Sequence, residues 1–180
     1  MPGAVFLRGE SVTLRTIEED DIEFMRDTIN DPAVREGLTT ASPINAEQER
    51  EYFEEQISNQ EDVNLAVCAD GEITGVIGLH DLNQRAGHCE VGLWLAPEYH
   101  GEGYGTEASR LLTDFAFREL RMHRVMARVL ATNPASARIW EKLGFEEEGL
   151  HRDETFTDGE YVDIRYFGVL EEEWDEGFGE

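Results

Sequence analysis

The chain has 180 residues and carries 40 aspartates and glutamates against 15 lysines and arginines, a formal net charge of −25. No apolar run approaches the ~20 residues of a membrane span, the N-terminus lacks a basic-then-apolar leader, and so acidic a chain offers no basic patch for nucleic acid. Cys68 and Cys89 are far apart and lack CxxC spacing, so two reduced, buried thiols are expected rather than a disulfide framework or a zinc site.

At this length a single domain over residues 1–180, cytoplasmic, is the expectation. Val12 to Arg15 reads as a strand ending at Thr16. Thr16 with Glu19 has capping-box spacing and predicts a helix to about Asn30, with Ile22, Met25 and Ile29 as its apolar stripe. Asn45 with Gln48 repeats the signal before a helix carrying Tyr52, Phe53 and Ile57. The period then becomes two: Val63, Leu65 and Val67 alternate, Asp70-Gly71 turns the chain, and Ile73 to Leu82 returns.

A turn over Asn83 to Gly87 leads to a strand at His88–Leu95. A glycine-rich stretch then enters a helix from about Gly103 to Glu119, with Leu111, Leu112, Phe115 and Ala116 inward. Arg124–Leu130 is the next strand, Ala135 to Lys142 a short helix stopped by Gly144. Two final strands, Phe145 to Thr157 and Tyr161 to Leu170, flank Asp158-Gly159. The pattern predicts an α+β or mixed α/β fold with an antiparallel-rich sheet.

The glycines at 101, 103 and 105 let backbone approach a ligand where a helix begins, and helix-start amides form an anion site suited to a pyrophosphate. There is no GKS or GKT for a P-loop, and Thr106 stands where a dinucleotide fingerprint needs glycine. Helix packing alone would also use such glycines.

His100-Gly101-Glu102-Gly103-Tyr104-Gly105 resembles the Q/R-x-x-G-x-G/A signature of the GNAT acetyltransferases, with histidine in the first place. Asn133-Pro134-Ala135-Ser136, running on to Glu141-Lys142-Leu143-Gly144-Phe145, is similar to a second segment of that family. The tail from Glu148-Gly149 to Glu173-Trp174 resembles the subgroup that acetylates N-termini of ribosomal proteins. The resemblance covers about residues 6 to 174 and implies a seven-stranded mixed sheet with about four helices. In it the fourth and fifth strands, His88–Leu95 and Arg124–Leu130, splay apart.

It further implies acetyl-CoA as acetyl donor without a metal, the pantetheine arm pairing with backbone near Leu93 and Leu95. Amides over His100, Gly101, Glu102, Gly103, Tyr104, Gly105 and Thr106 would hold the pyrophosphate, and Asn133 would contact the amide arm. Direct transfer to an amine in a ternary complex follows from the family, consistent with the lack of a nucleophile triad. An α-amine, pKa ~7.7–8.0, costs only about 1 to 1.4 kcal/mol to neutralise at pH 7, against nearer 4.6 kcal/mol for lysine, so an N-terminal-amine enzyme can use a weak base.

Ser136 is the candidate donor to the departing thiolate; the tyrosine many relatives place four residues later is Trp140 here. Glu90 is the leading base, since it shares a strand face with Gly92 and Trp94. His80 and His88 are outside candidates for a proton relay. The favoured acceptor is a protein N-terminus; a small amine (polyamine, amino acid or aminoglycoside) and a non-catalytic acyl-CoA sensor stay open, as do monomer and homodimer. The charge, spread along the whole chain, reads as adaptation to a salt-rich cytoplasm, where a Debye length of ~3 Å removes self-repulsion; an acidic surface recruiting basic partners is the alternative.

Overall fold

The structure is a computed structural model that describes residues 3–39, 42–58 and 61–178. Among these residues eight strands form one sheet: β1 (Val5–Arg8), β2 (Val12–Thr16), β3 (Val63–Ala69), β4 (Glu72–Asn83), β5 (His88–Leu95), β6 (Arg124–Leu130), β7 (Glu146–Thr157) and β8 (Glu160–Leu170). The spatial order is β1-β2-β3-β4-β5-β6-β8-β7. Every neighbouring pair is antiparallel except β5 with β6. The helices are α1 (Ile22–Asn30), α2 (Pro32–Arg35), α3 (Ala46–Tyr52), α4 (Tyr104–Arg118), α5 (Pro134–Lys142) and α6 (Glu171–Phe178).

The mixed α/β expectation holds, with one strand and two helices more than the resemblance implied. The added strand, β1, is a four-residue edge strand whose pairing with β2 begins at Val5↔Arg15. It is too short for periodicity to reveal. The added helices are the single turn α2, where Asp31 Oδ1 caps Ala33 N at 2.8 Å, and the terminal α6.

Alternation along the central strands feeds two apolar layers. Leu65, Val67, Ile77, Leu79 and Val91 face α4, α5 and α6, where Leu112, Ala116, Trp140 and Trp174 are buried. Removing one leucine such as Leu112 from water is worth ~1.5–3 kcal/mol. Ala66, Cys68 and Val76 face the opposite way, onto Met25 of α1 and the flanking Phe24, Phe53 and Trp94. Both cysteines are free and buried.

The Asn45–Gln48 capping box forms as expected, with Asn45 Oδ1 accepting from Gln48 N at 3.0 Å. The Thr16–Glu19 box does not form. Thr16 closes β2, its Oγ1 accepts from Ala4 N at 2.9 Å, and Asp21 instead accepts from Glu18 N at 2.9 Å. The register moves because Arg15 grips Asp21 through two bonds of 2.8 Å, an attraction far stronger than a solvent-facing Glu19 cap.

β5 and β6 pair only at His88↔Arg124, Cys89↔Val125 and Glu90↔Met126. Beyond Glu90, β5 stays with β4 as far as Gly75↔Leu95, and β6 stays with β8 as far as Leu130↔Ile164. The inner edges over residues 91–95 and 127–130 therefore diverge with backbone groups facing the gap.

Candidate active site

The divergence opens a cleft of about 500 Å³ with its apex at Glu90 and Gly92. β5 supplies Leu93, Trp94 and Leu95 to one wall; β6 and α5 supply Arg128, Asn133, Ser136 and Trp140 to the other. The glycine-rich loop and the start of α4 close one end, and α2 with Gly37 and Leu38 covers the cleft.

The loop is built for exposed amides. Gly101 and Gly103 take φ of +85° and +86°, a left-handed conformation that costs other residues ~1–2 kcal/mol, and a Cβ on either would meet nothing within 4 Å. The first helix-start amide satisfied within the backbone is Glu107 N, on Gly103 O at 3.1 Å. The amides of Tyr104, Gly105 and Thr106 thus lack an intrahelical acceptor at the positive end of a 15-residue helix. Gly105 has a different reason to be glycine: a Cβ there would lie 3.0 Å from Ile139 Cδ1 and 3.1 Å from Leu93 Cδ2.

Of the fourteen residues singled out from sequence, eleven line the cleft: Glu90, Leu93, Leu95, His100, Gly101, Gly103, Tyr104, Gly105, Thr106, Asn133 and Ser136. His80, His88 and Glu102 do not; the side chain of Glu102 is exposed to solvent. His100 turns back, its Nε2–H donating to the Leu95 carbonyl at 2.9 Å, so the ring ties the loop to the end of β5 and engages that carbonyl. Asn133 Oδ1 caps α5 by accepting from Ser136 N at 3.1 Å.

Glu90 is held in an ion pair. Arg128 Nε donates to its Oε1 at 2.8 Å across the parallel step, and this pairing raises the guanidinium above its ordinary value although burial opposes it. Sequence reasoning singled out neither Arg128 nor its companions on the wall, Arg138 and Lys142. Alternation offered the signal for Arg128: it lies two residues beyond Met126, the register partner of Glu90, and so shares its face. Trp140 is buried against Phe145, ring centroids 5.1 Å apart, with its indole N–H lacking a hydrogen-bond partner. An orphaned donor in a cleft wall fits a ligand that brings acceptors.

The acetyltransferase (GNAT) domain model matches residues 11–146. "Putative ribosomal N-acetyltransferase YdaF" of Bacillus subtilis (strain 168) is 32% identical over 173 residues, 92% of this chain and 94% of its own. Spermidine N(1)-acetyltransferase of Escherichia coli (strain K12) is 30% identical over 152 residues, 84% of this chain and 81% of that one. The fold matches the crystal structure of spermidine N-acetyltransferase from Vibrio cholerae in complex with CoA and spermine. There the TM-score is 0.86 at 23% identity, covering 92% of this chain and 99% of the other.

Proposed function

The chain belongs to the GNAT acetyltransferase family, and on that premise we propose that it acetylates the α-amine of a protein N-terminus, by direct transfer with donor and acceptor bound together. As a family member it is an N-acetyltransferase with acetyl-CoA as donor. The cleft suits that donor. Free amides at the start of α4 meet a pyrophosphate, and the unpaired edge of β5 at Leu93 offers backbone to the pantetheine arm as another strand would. Trp140 and Asn133 line the same channel.

One observation carries the choice of acceptor. Among the described residues lining the cleft, Glu90 is the only carboxylate, and Arg128 already neutralises it. A polyamine needs several unpaired acids, whereas one α-amine, half neutral near pH 8, needs one site and a weak base. In this reading Glu90 draws the ammonium to the apex through its free Oε2, and Ser136 donates to the departing sulfur. The spermidine-acetylating relative keeps the polyamine reading in play.

The measurement is coenzyme A release in molar KCl with lysine-blocked peptides of differing first residue, alongside spermidine and other small amines. Turnover confined to free peptide N-termini is expected. Turnover with polyamines alone would transfer the assignment to the small-amine class, and cofactor binding without turnover on any amine would leave a sensor. The setting that the charge of −25 supports is a salt-rich cytoplasm, with residues 1–180 acting as one acetyltransferase unit, monomer or homodimer.

A further inference from the structure

On the face of the sheet that carries Glu90, a second polar group stands one strand away. His80 of β4 is the register partner of Glu90, and its side chain is 36% exposed. Nδ1 lies 3.4 Å from Asp62 Oδ2. The ring reaches over two glycines: Nε2 is 2.8 Å from where a Cβ on Gly78 would sit, and 3.7 Å from that position on Gly92. Gly92 lines the cleft at its apex, so the imidazole edge overlies the place where the strands part. With Nδ1–H donated to the carboxylate, Nε2 keeps its lone pair toward the apex. Its neighbours are Asp62 and its register partner Glu90, which Arg128 pairs, and Tyr52 of α3 feels the charge of both Asp62 and Glu49.

We infer that His80, oriented by Asp62, is the base that removes the acceptor's proton, a role that rests on the acetyltransferase reading above. Glu90 is the less available of the two because Arg128 Nε donates to one of its oxygens. The division is then chemical: the carboxylate attracts the ammonium, and the imidazole takes its proton. The ammonium gives a proton to Nε2, directly or through one water. The freed lone pair attacks the thioester carbonyl carbon and forms the C–N bond. The C–S bond breaks with its electron pair on sulfur, and a second nitrogen proton reaches that sulfur by way of the Ser136 hydroxyl. Amide and thiol leave, and His80 returns its proton to solvent. Asp62 acts through His80 and is a positioning residue.

His80→Ala and His80→Gln are expected to lower kcat/KM by about 10²- to 10⁴-fold, the usual worth of a placed base, with coenzyme A affinity by calorimetry within twofold of wild type. Added imidazole restores turnover to His80→Ala, and Asp62→Asn loses about tenfold. Variants within threefold of wild type, or a His80→Ala that added imidazole does not rescue, would overturn the role. So would loss of coenzyme A binding together with turnover, which would make His80 structural. A wild-type protein that turns over no amine would instead defeat the acetyltransferase reading itself.

Discussion

Arg15 is only 5% exposed, yet its guanidinium has a partner for each face it presents. Two nitrogens grip Asp21 at 2.8 Å each, and Nε donates to Cys68 Sγ at 3.0 Å. Burial pushes the Asp21 carboxyl up, but the bonds from Arg15 and the Glu18 amide outweigh it and hold the group below its ordinary value. Asp21→Asn strands a buried cation, and breaking such a pair costs about 3–5 kcal/mol. A carboxyl depressed in the folded state stabilises fully above its unfolded pKa of ~3.9, and that contribution disappears as pH falls through the folded value. Urea unfolding at fixed KCl is therefore expected to show a wide gap between wild type and Asp21→Asn at pH 7 that narrows steadily below about pH 4. A gap independent of pH would mean that the variant acts through packing alone.

At the scale of elements, the junction of β5, the glycine loop and α4 decides whether the cleft can hold its donor. Gly105 is the tight point, while Gly149 on β7 has nothing within 4 Å of a Cβ and ordinary backbone geometry. Gly105→Ala gains up to ~1 kcal/mol of helix propensity, less in the first turn. Against this stands an overpacking cost of about 1–3 kcal/mol from pushing Leu93 and Ile139 aside. The second effect wins, so coenzyme A affinity is expected to fall about tenfold, with Gly149→Ala unchanged as the control; equal affinities in calorimetry would remove Gly105 from the cofactor wall. Much of this junction is legible in the sequence, because glycine spacing and period-two strands are local signals. The Glu90–Arg128 pair, the His100 tether and the cover of α2 are not, since each depends on which side chains the fold brings together across 5 to 38 residues. The displaced capping box shows the same limit: Thr16 and Glu19 have the right spacing, and Arg15 decides against them from the neighbouring position.

For the molecule as a whole, two electrostatic effects oppose each other when salt is added. Ion pairs such as Arg124–Glu148, Arg165–Glu147 and Arg118–Asp114 lie at the surface and are each worth ~0–1 kcal/mol, so screening them removes little. The buried Arg15–Asp21 pair is screened less still. Repulsion works on a far larger scale: 40 acids face 15 cations, and each cation can neutralise only a small part of that excess. Screening repulsion should therefore win, and stability should rise with salt. If it restores roughly 2 kcal/mol, the melting temperature of a domain this size climbs by about 4–8 °C. Calorimetric scans between 0.1 and 2 M KCl test this, chloride being chosen because sulfate stabilises by exclusion whatever the charge. An increase that saturates once the Debye length falls to ~3 Å is the signature of screened self-repulsion. A flat or falling profile would mean that the carboxylates are spaced too widely to repel and that the surface was selected for a partner rather than for salt.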